Sequence, residues 1–155
     1  MGGDLIQTPQ TRWIQGAYES VQRGTLIHLV CRIDTGVAEE RYSALRVPGA
    51  AAGYQVTAGK TLYLTRVMRL ASIVTSRWQT ASGTADAGDN QLAQPAGYIH
   101  RDSGQINTEN ALTGLTANVI YDHNIFTAIP ENTYPCVRLL SASCALRCSF
   151  YGHEE

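Results

Sequence analysis

Apolar residues recur at every second position along much of this chain. From Cys136 to Phe150 the even positions are Cys136, Arg138, Leu140, Ala142, Cys144, Leu146, Cys148 and Phe150, while Ser141, Ser143, Arg147 and Ser149 fill odd ones. A period of two gives a β-strand one buried and one wet face. The serines at 141 and 143 predict a turn that splits the run into two strands. The stretch TLIHLVCRI repeats the pattern, with Ile27, Leu29, Cys31 and Ile33 on one face and His28 and Arg32 on the other.

The segment TLYLTRVMRLASIVTSRW matches two templates. Its even positions Leu62, Leu64, Met68, Leu70, Val74 and Trp78 share a strand face, whereas Leu64, Val67, Met68, Ala71, Val74 and Trp78 share a helical one. Six β-branched residues, no acidic residue and no capping box favour strand, because branched side chains lose rotamer freedom in helices and pack well on sheets. YSALRV, GYIH and ANVIYDHNIF are shorter strand candidates, separated by loops such as TASGTADAGDNQ and TENALTG. Many short strands joined by turn-rich loops predict an all-β fold, an antiparallel β-sandwich of jelly-roll-like kind.

The N-terminal stretch is different. MGGDLIQTPQTRWIQGAYESVQRG is polar, Gln-rich and weakly periodic, yet it holds Trp13, Ile14 and Tyr18. It reads as an extended N-terminal arm, either a disordered tail or a segment that folds onto a partner. Residues 1–41 then form the arm with one strand at about 25–33, and residues 42–155 form the β-sandwich domain. Isolated large apolar residues on an arm are anchors for an interface, which makes Trp13, Ile14 and Tyr18 the candidate partner contacts.

Composition narrows the picture. A chain of 155 residues suits one domain and buries about 70% of its unfolded surface. With 44% hydrophobic and 16% charged residues, it resembles neither a disordered chain nor a helical bundle rich in Glu and Lys. Net charge is -1, and the arginines are scattered from Arg12 to Arg147 with Lys60 as the only lysine. A nucleic-acid surface needs clustered cations, so no nucleic-acid partner is expected. The bias to arginine has two readings, base composition and interfaces that lose water, where the weakly hydrated guanidinium is the better cation. No run approaches the roughly 20 apolar residues of a membrane span, and the N-terminus has no basic region followed by an apolar one. No Asn-x-Ser/Thr acceptor occurs either. Synthesis in a cytosol, without membrane insertion, is the expectation.

Several stretches imitate chemistry. GYQVTAGKT ends in the Gly-Lys-Thr of a phosphate-binding loop, but the first glycine of that loop is required where Tyr54 stands, and the LYLTRV that follows reads as strand, not helix. The plainer reading is a tight turn at Gly59, with Lys60 at its tip in water, between a short strand containing Tyr54 and Val56 and a long strand from Leu62. His100, Arg101 and Asp102 imitate a kinase catalytic loop in a chain too short for a kinase. Ser103, His123 and Asp122 make a triad on paper only, since neighbours on a strand face opposite sides and no nucleophile elbow is present. Cys136, Cys144 and Cys148 with His123 and His153 lack the short paired spacing of structural zinc. All three cysteines fall on the inferred buried face and read as small core hydrophobes, with a Cys136–Cys148 disulfide as the alternative. Asp86, Asp89 and Asn90 could supply oxygens to calcium, although the spacing and closing Glu of an EF-hand are missing. No catalytic residue, cofactor or metal is expected.

YQVTAGKTLYLTRVMRLAS resembles the Val-x-Ala-Gly-Lys-x-Leu/Phe-x-Leu/Ile-Thr opening of small jelly-roll domains in tailed-bacteriophage structural proteins. The terminal CSFYGHEE is similar to their closing strand, which often ends in an aromatic residue, Gly and Glu. The resemblance covers roughly Tyr42 to Glu155. It implies a virion protein made in the host cytoplasm, commonly a homotrimer, with the major capsid protein as partner. Because the chain has no repeat, heptad or stalk, the resemblance favours a capsid cement or decoration protein that stabilises the shell. The alternative is a head-fibre or tail module that binds a receptor or glycan.

Overall fold

A computed structural model of the chain describes residues 9–34, 41–72, 78–87, 99–100, 118–139 and 144–155. Among them are one helix, α1 (Pro9–Arg23), and eight strands: β1 (Ile27–Ile33), β2 (Arg41–Ala44), β3 (Leu62–Ala71), β4 (Trp78–Gly83), β5 (Ile99–His100), β6 (Tyr121–Ile129), β7 (Tyr134–Leu139) and β8 (Leu146–Glu154). The strands pair antiparallel in two four-stranded sheets, ordered β1-β8-β3-β6 and β2-β7-β4-β5. The protein is an all-β sandwich.

The core lies between the sheets. Leu29, Ile33, Leu62, Leu64, Val67 and Phe150 of the first sheet join Trp78, Val137 and Leu139 of the second, all closed to solvent. The Trp78 and Phe150 rings meet edge to face at 5.9 Å, a geometry the ring quadrupoles favour. β1 and β8 keep the alternation written in the sequence, with Leu29, Cys31, Ile33, Leu146, Cys148 and Phe150 buried and Arg32 and Arg147 exposed. β1 pairs with β8 along its whole length, from Ile27↔Gly152 to Ile33↔Leu146, so the sandwich takes in the strand that sequence pattern places with the arm.

Three expectations are corrected. First, residues 9–23 are helical, not extended. Pro9 occupies the first helical position, where its missing N–H costs nothing. Gly24 closes the helix at φ +70°, with the Thr25 amide donating to Ser20 O at 2.8 Å and the Gly24 amide to Val21 O at 3.2 Å. Those two bonds satisfy carbonyls that the helix end leaves open.

Second, β3 does not keep its even positions on one face. A register shift between Leu64 and Arg66, matched on both neighbouring strands, marks a bulge at Thr65. One extra residue inverts the alternation beyond it. Leu62 and Leu64 point inward, and so do Val67 and Arg69, while Met68 and Leu70 turn outward and are only half-buried. The guanidinium of buried Arg69 lies 5.9 Å from the centre of the Trp78 ring.

Third, Cys136 is buried on the opposite face from Cys144 and Cys148. Val137 and Leu139 hold the inward face of β7, so Cys136 joins Tyr42, Ala44, Ala81 and Ala87 in a second apolar cluster. A strand covered on both sides loses its alternation. All four cysteines are free and buried, with Cys136 and Cys148 in different sheets. Burial pushes the Cys136 thiol up to about 12.

Candidate functional site

The outward side chains of the first sheet form successive rows, which the register defines. Tyr63 neighbours His153; Arg66 neighbours Tyr151 and His28; Met68 neighbours Ser149 and Val30; Leu70 neighbours Arg147 and Arg32.

Helix α1 rests on the first row. Gly16 is buried there, and a Cβ added to it would sit 2.4 Å from Nε2 of His153. Absence of a side chain is therefore what lets the helix approach. One turn on, Ser20 is buried and turns its hydroxyl back to Ala17 O at 2.7 Å, so it presents little bulk to the sheet. The His153 ring stacks on Tyr63 at 5.5 Å, and its Nε2 lies 3.7 Å from Glu155 Oε1. Burial lowers the His153 pKa from its usual 6.5, outweighing the opposite pull of Glu155 and of Glu19 on the helix.

The other side of α1 faces water. Tyr18 is 64% exposed and Val21 60% exposed, three residues apart and so on neighbouring turns of one stripe. Gln22 Nε2 donates to the Tyr18 hydroxyl at 2.9 Å, fixing its direction. Of the three candidate contacts, Tyr18 is thus an exposed aromatic residue on a helix. The backbones of Trp13 and Ile14 run in the same helix, and their side chains lie outside the described residues.

The second row is aromatic and ionic. His28 stacks on Tyr151 at 4.7 Å with an interplanar angle of 5°, and the Arg66 guanidinium sits 5.4 Å from the Tyr151 ring centre. Arg66 also grips Asp122 with two bonds, Nε to Oδ1 at 2.8 Å and Nη2 to Oδ2 at 2.5 Å. Asp122 is thereby engaged in a cross-strand ion pair.

GYQVTAGKT is the turn expected of it, tied down by acids. The Lys60 amide donates to Thr57 O at 3.0 Å, Gly59 has φ +75°, and Lys60 is exposed. Amides that a phosphate-binding loop would present to an anion go instead to carboxylates: Thr57 N–H to Glu154 Oε1 at 3.0 Å and Gly59 N–H to Glu131 Oε2 at 2.5 Å. Two carboxylates at this position repel a phosphate. Tyr54 adds its hydroxyl to Glu154 Oε1 at 2.7 Å. Burial works against the charge on Glu154, but the Thr57 and Tyr54 hydrogen bonds and nearby Lys60 outweigh it and hold its pKa low. Residues 53–57 form no strand, although the Tyr54 and Val56 amides donate to Leu45 O and Thr133 O.

The remaining motifs stay apart. His100 closes β5, while Arg101, Asp102 and Ser103 lie outside the described residues. His123 follows Asp122 directly along β6, and its side chain is outside the described residues. Asp86 accepts from the Gly53 amide at 2.8 Å and sits 3.5 Å from Arg46 Nη2, bracing the loop before the turn. Asp89 and Asn90 are outside the described residues. Among the described residues no three His, Cys, Asp or Glu side chains gather where they could hold a metal ion.

Comparison with protein families, with curated proteins and with solved structures returned no match. Sequence reasoning missed the seat of α1, namely Gly16, Ser20 and His153. Pro9 and Gly24, placed to start and stop a helix, were the signal for it.

Proposed function

We propose that this protein is a non-enzymatic virion component of jelly-roll type that docks on a capsid shell and stabilises it as a cement or decoration protein. The jelly-roll reading draws support from the strand orders β1-β8-β3-β6 and β2-β7-β4-β5, in which eight strands divide between two sheets with sequence neighbours mostly on opposite sheets. The docking reading rests on one observation: α1 offers Tyr18 and Val21 to solvent on a helix whose opposite side is seated on the sheet. A pair of exposed apolar side chains on neighbouring turns of a braced helix is a suitable anchor for a groove in a partner.

A protein bound across joints between shell subunits adds its binding free energy to the assembled state by mass action. If three copies associate, as the resemblance implies, each further contact becomes intramolecular and avidity rises. The test is the double substitution Tyr18→Ser with Val21→Ser, measured as occupancy on the native capsid. Loss of a central anchor worth about 2 kcal/mol weakens binding roughly thirtyfold. Since both residues are exposed, thermal stability stays close to wild type. Unchanged occupancy sinks the proposal, and binding to glycans at a few copies per particle replaces it with the fibre role.

A further inference from the structure

We propose that the end of the first sheet farthest from α1 carries a binding groove for a medium-chain carboxylate, an apolar chain with an anionic head. This site is separate from the helix stripe and does not depend on the capsid reading.

The groove has a volume of about 400 Å³, within the roughly 300–1,000 Å³ range of small-molecule sites. Its floor is apolar for a traceable reason. The bulge at Thr65 turns Met68 and Leu70 outward, and Val30 of β1 and the 61% exposed Ile120, just before β6, flank them. An outward patch of this kind on a sheet face is costly in water and gains by being covered.

The net charge at the β1/β8 side is positive, because two guanidiniums share one carboxylate. Every charged residue among the described ones lining the groove is an arginine. Arg32 and Arg147 are cross-strand neighbours at the β1/β8 side, and both bond Asp34. Arg147 also donates Nη1 to Ile33 O at 2.9 Å, so its guanidinium is held in place while its side chain stays 43% exposed. With Nη1 also bonded to Leu146 O and Nη2 to Asp34, the head is selected by the excess positive charge at one end of the apolar floor, which favours an anion over a cation or a neutral group. Ligand length follows from the sheet. From Arg147 on β8 across β3 to Ile120, just before β6, is two strand spacings, about 10 Å. An extended chain of roughly eight carbons covers that distance, with the head over Arg147 and the tail over Met68, Leu70 and Ile120.

Calorimetric titration of the full chain with octanoate tests this, alongside octylammonium and octanol. The expected result is saturable binding of one octanoate per chain, with the cation and the alcohol weaker by about tenfold or more, as loss of a charge-assisted hydrogen bond implies. Arg147→Gln lowers octanoate affinity by a similar factor. Met68→Glu leaves Arg147 and its bonds intact, places an anion on the floor and abolishes binding, so the test survives if Arg147→Gln fails to fold. Equal binding of octanoate and octylammonium, no saturable heat, or unchanged affinity in Met68→Glu overturns the assignment. So does a short peptide with an apolar C-terminal residue and free carboxylate that binds about tenfold tighter than octanoate, since the occupant is then a protein chain end.

Discussion

Replacing Gly152 by alanine should lower stability by much more than a single methyl normally does. Gly152 lies in β8, between Ile27 of β1 and Leu64 of β3. A Cβ there would sit 2.3 Å from Tyr63 O, 3.0 Å from Tyr63 C and 3.2 Å from Leu64 Cα. Ordinary C···O contacts lie near 3.3 Å or beyond, so the overlap is about 1 Å. The obstructing atoms are backbone, which has no rotamer to change. Relief requires β3 to slide against β8 beside the bulge, and β3 is also hydrogen-bonded to β6. Overpacking costs about 1–3 kcal/mol, and a backbone clash belongs at the upper end. The lost flexibility of the unfolded chain returns about 0.5–1 kcal/mol. The net loss is roughly 2–2.5 kcal/mol, which for a chain of this length lowers Tm by about 4–10 °C. Thermal and urea unfolding followed by circular dichroism measure it. A Tm within about 1 °C of wild type refutes the close approach of β3 and β8 at this point.

Four further substitutions, at three positions, probe the same structure. Gly16→Ala raises intrinsic helicity by about 1 kcal/mol, yet its Cβ meets the His153 ring, so hydrogen exchange in α1 should speed up; slower exchange shows that the helix is not seated there. Gly59→Ala should cost about 1 kcal/mol although its Cβ meets nothing, because φ +75° disfavours a side chain, and Gly59→Asn should cost less; equal stability of all three in urea titration contradicts the turn. The folded state holds the His153 pKa below its usual 6.5, so the unfolded chain binds more protons as pH falls through that value. Stability is therefore full above pH 6.5 and declines below it, and His153→Asn should flatten this part of the pH profile; an unchanged profile removes His153 from the account.

The sandwich was legible where one face of a strand is buried and the other wet. β1 and β8 show this most plainly, since Leu29, Cys31, Ile33 and Leu146, Cys148, Phe150 alternate with polar neighbours in sequence and in space alike. Alternation fails for two physical reasons. At Thr65 a bulge shifts the period by one residue, and no residue type there announces it. In β7 both faces are covered, so Cys136 marks the second cluster instead of the main core. The helix escaped notice because hydrophobic periodicity looks for an apolar seat, whereas among the described side chains α1 meets the sheet at Gly16 and Ser20 and turns Tyr18 and Val21 to water. Its end signals, Pro9 and Gly24, lie outside any apolar pattern. Tyr18 was identifiable as an unusual aromatic residue in a polar stretch, but only the helix shows which neighbour shares its face.

Copy number on the shell tests the proposed cement role most directly. Quantitative mass spectrometry of the purified native particle, with the major capsid protein as internal standard, gives copies of this chain per capsid subunit. A cement role predicts a fixed, shell-wide ratio that falls when Tyr18 and Val21 are replaced by serine. A handful of copies per particle, or none, contradicts it.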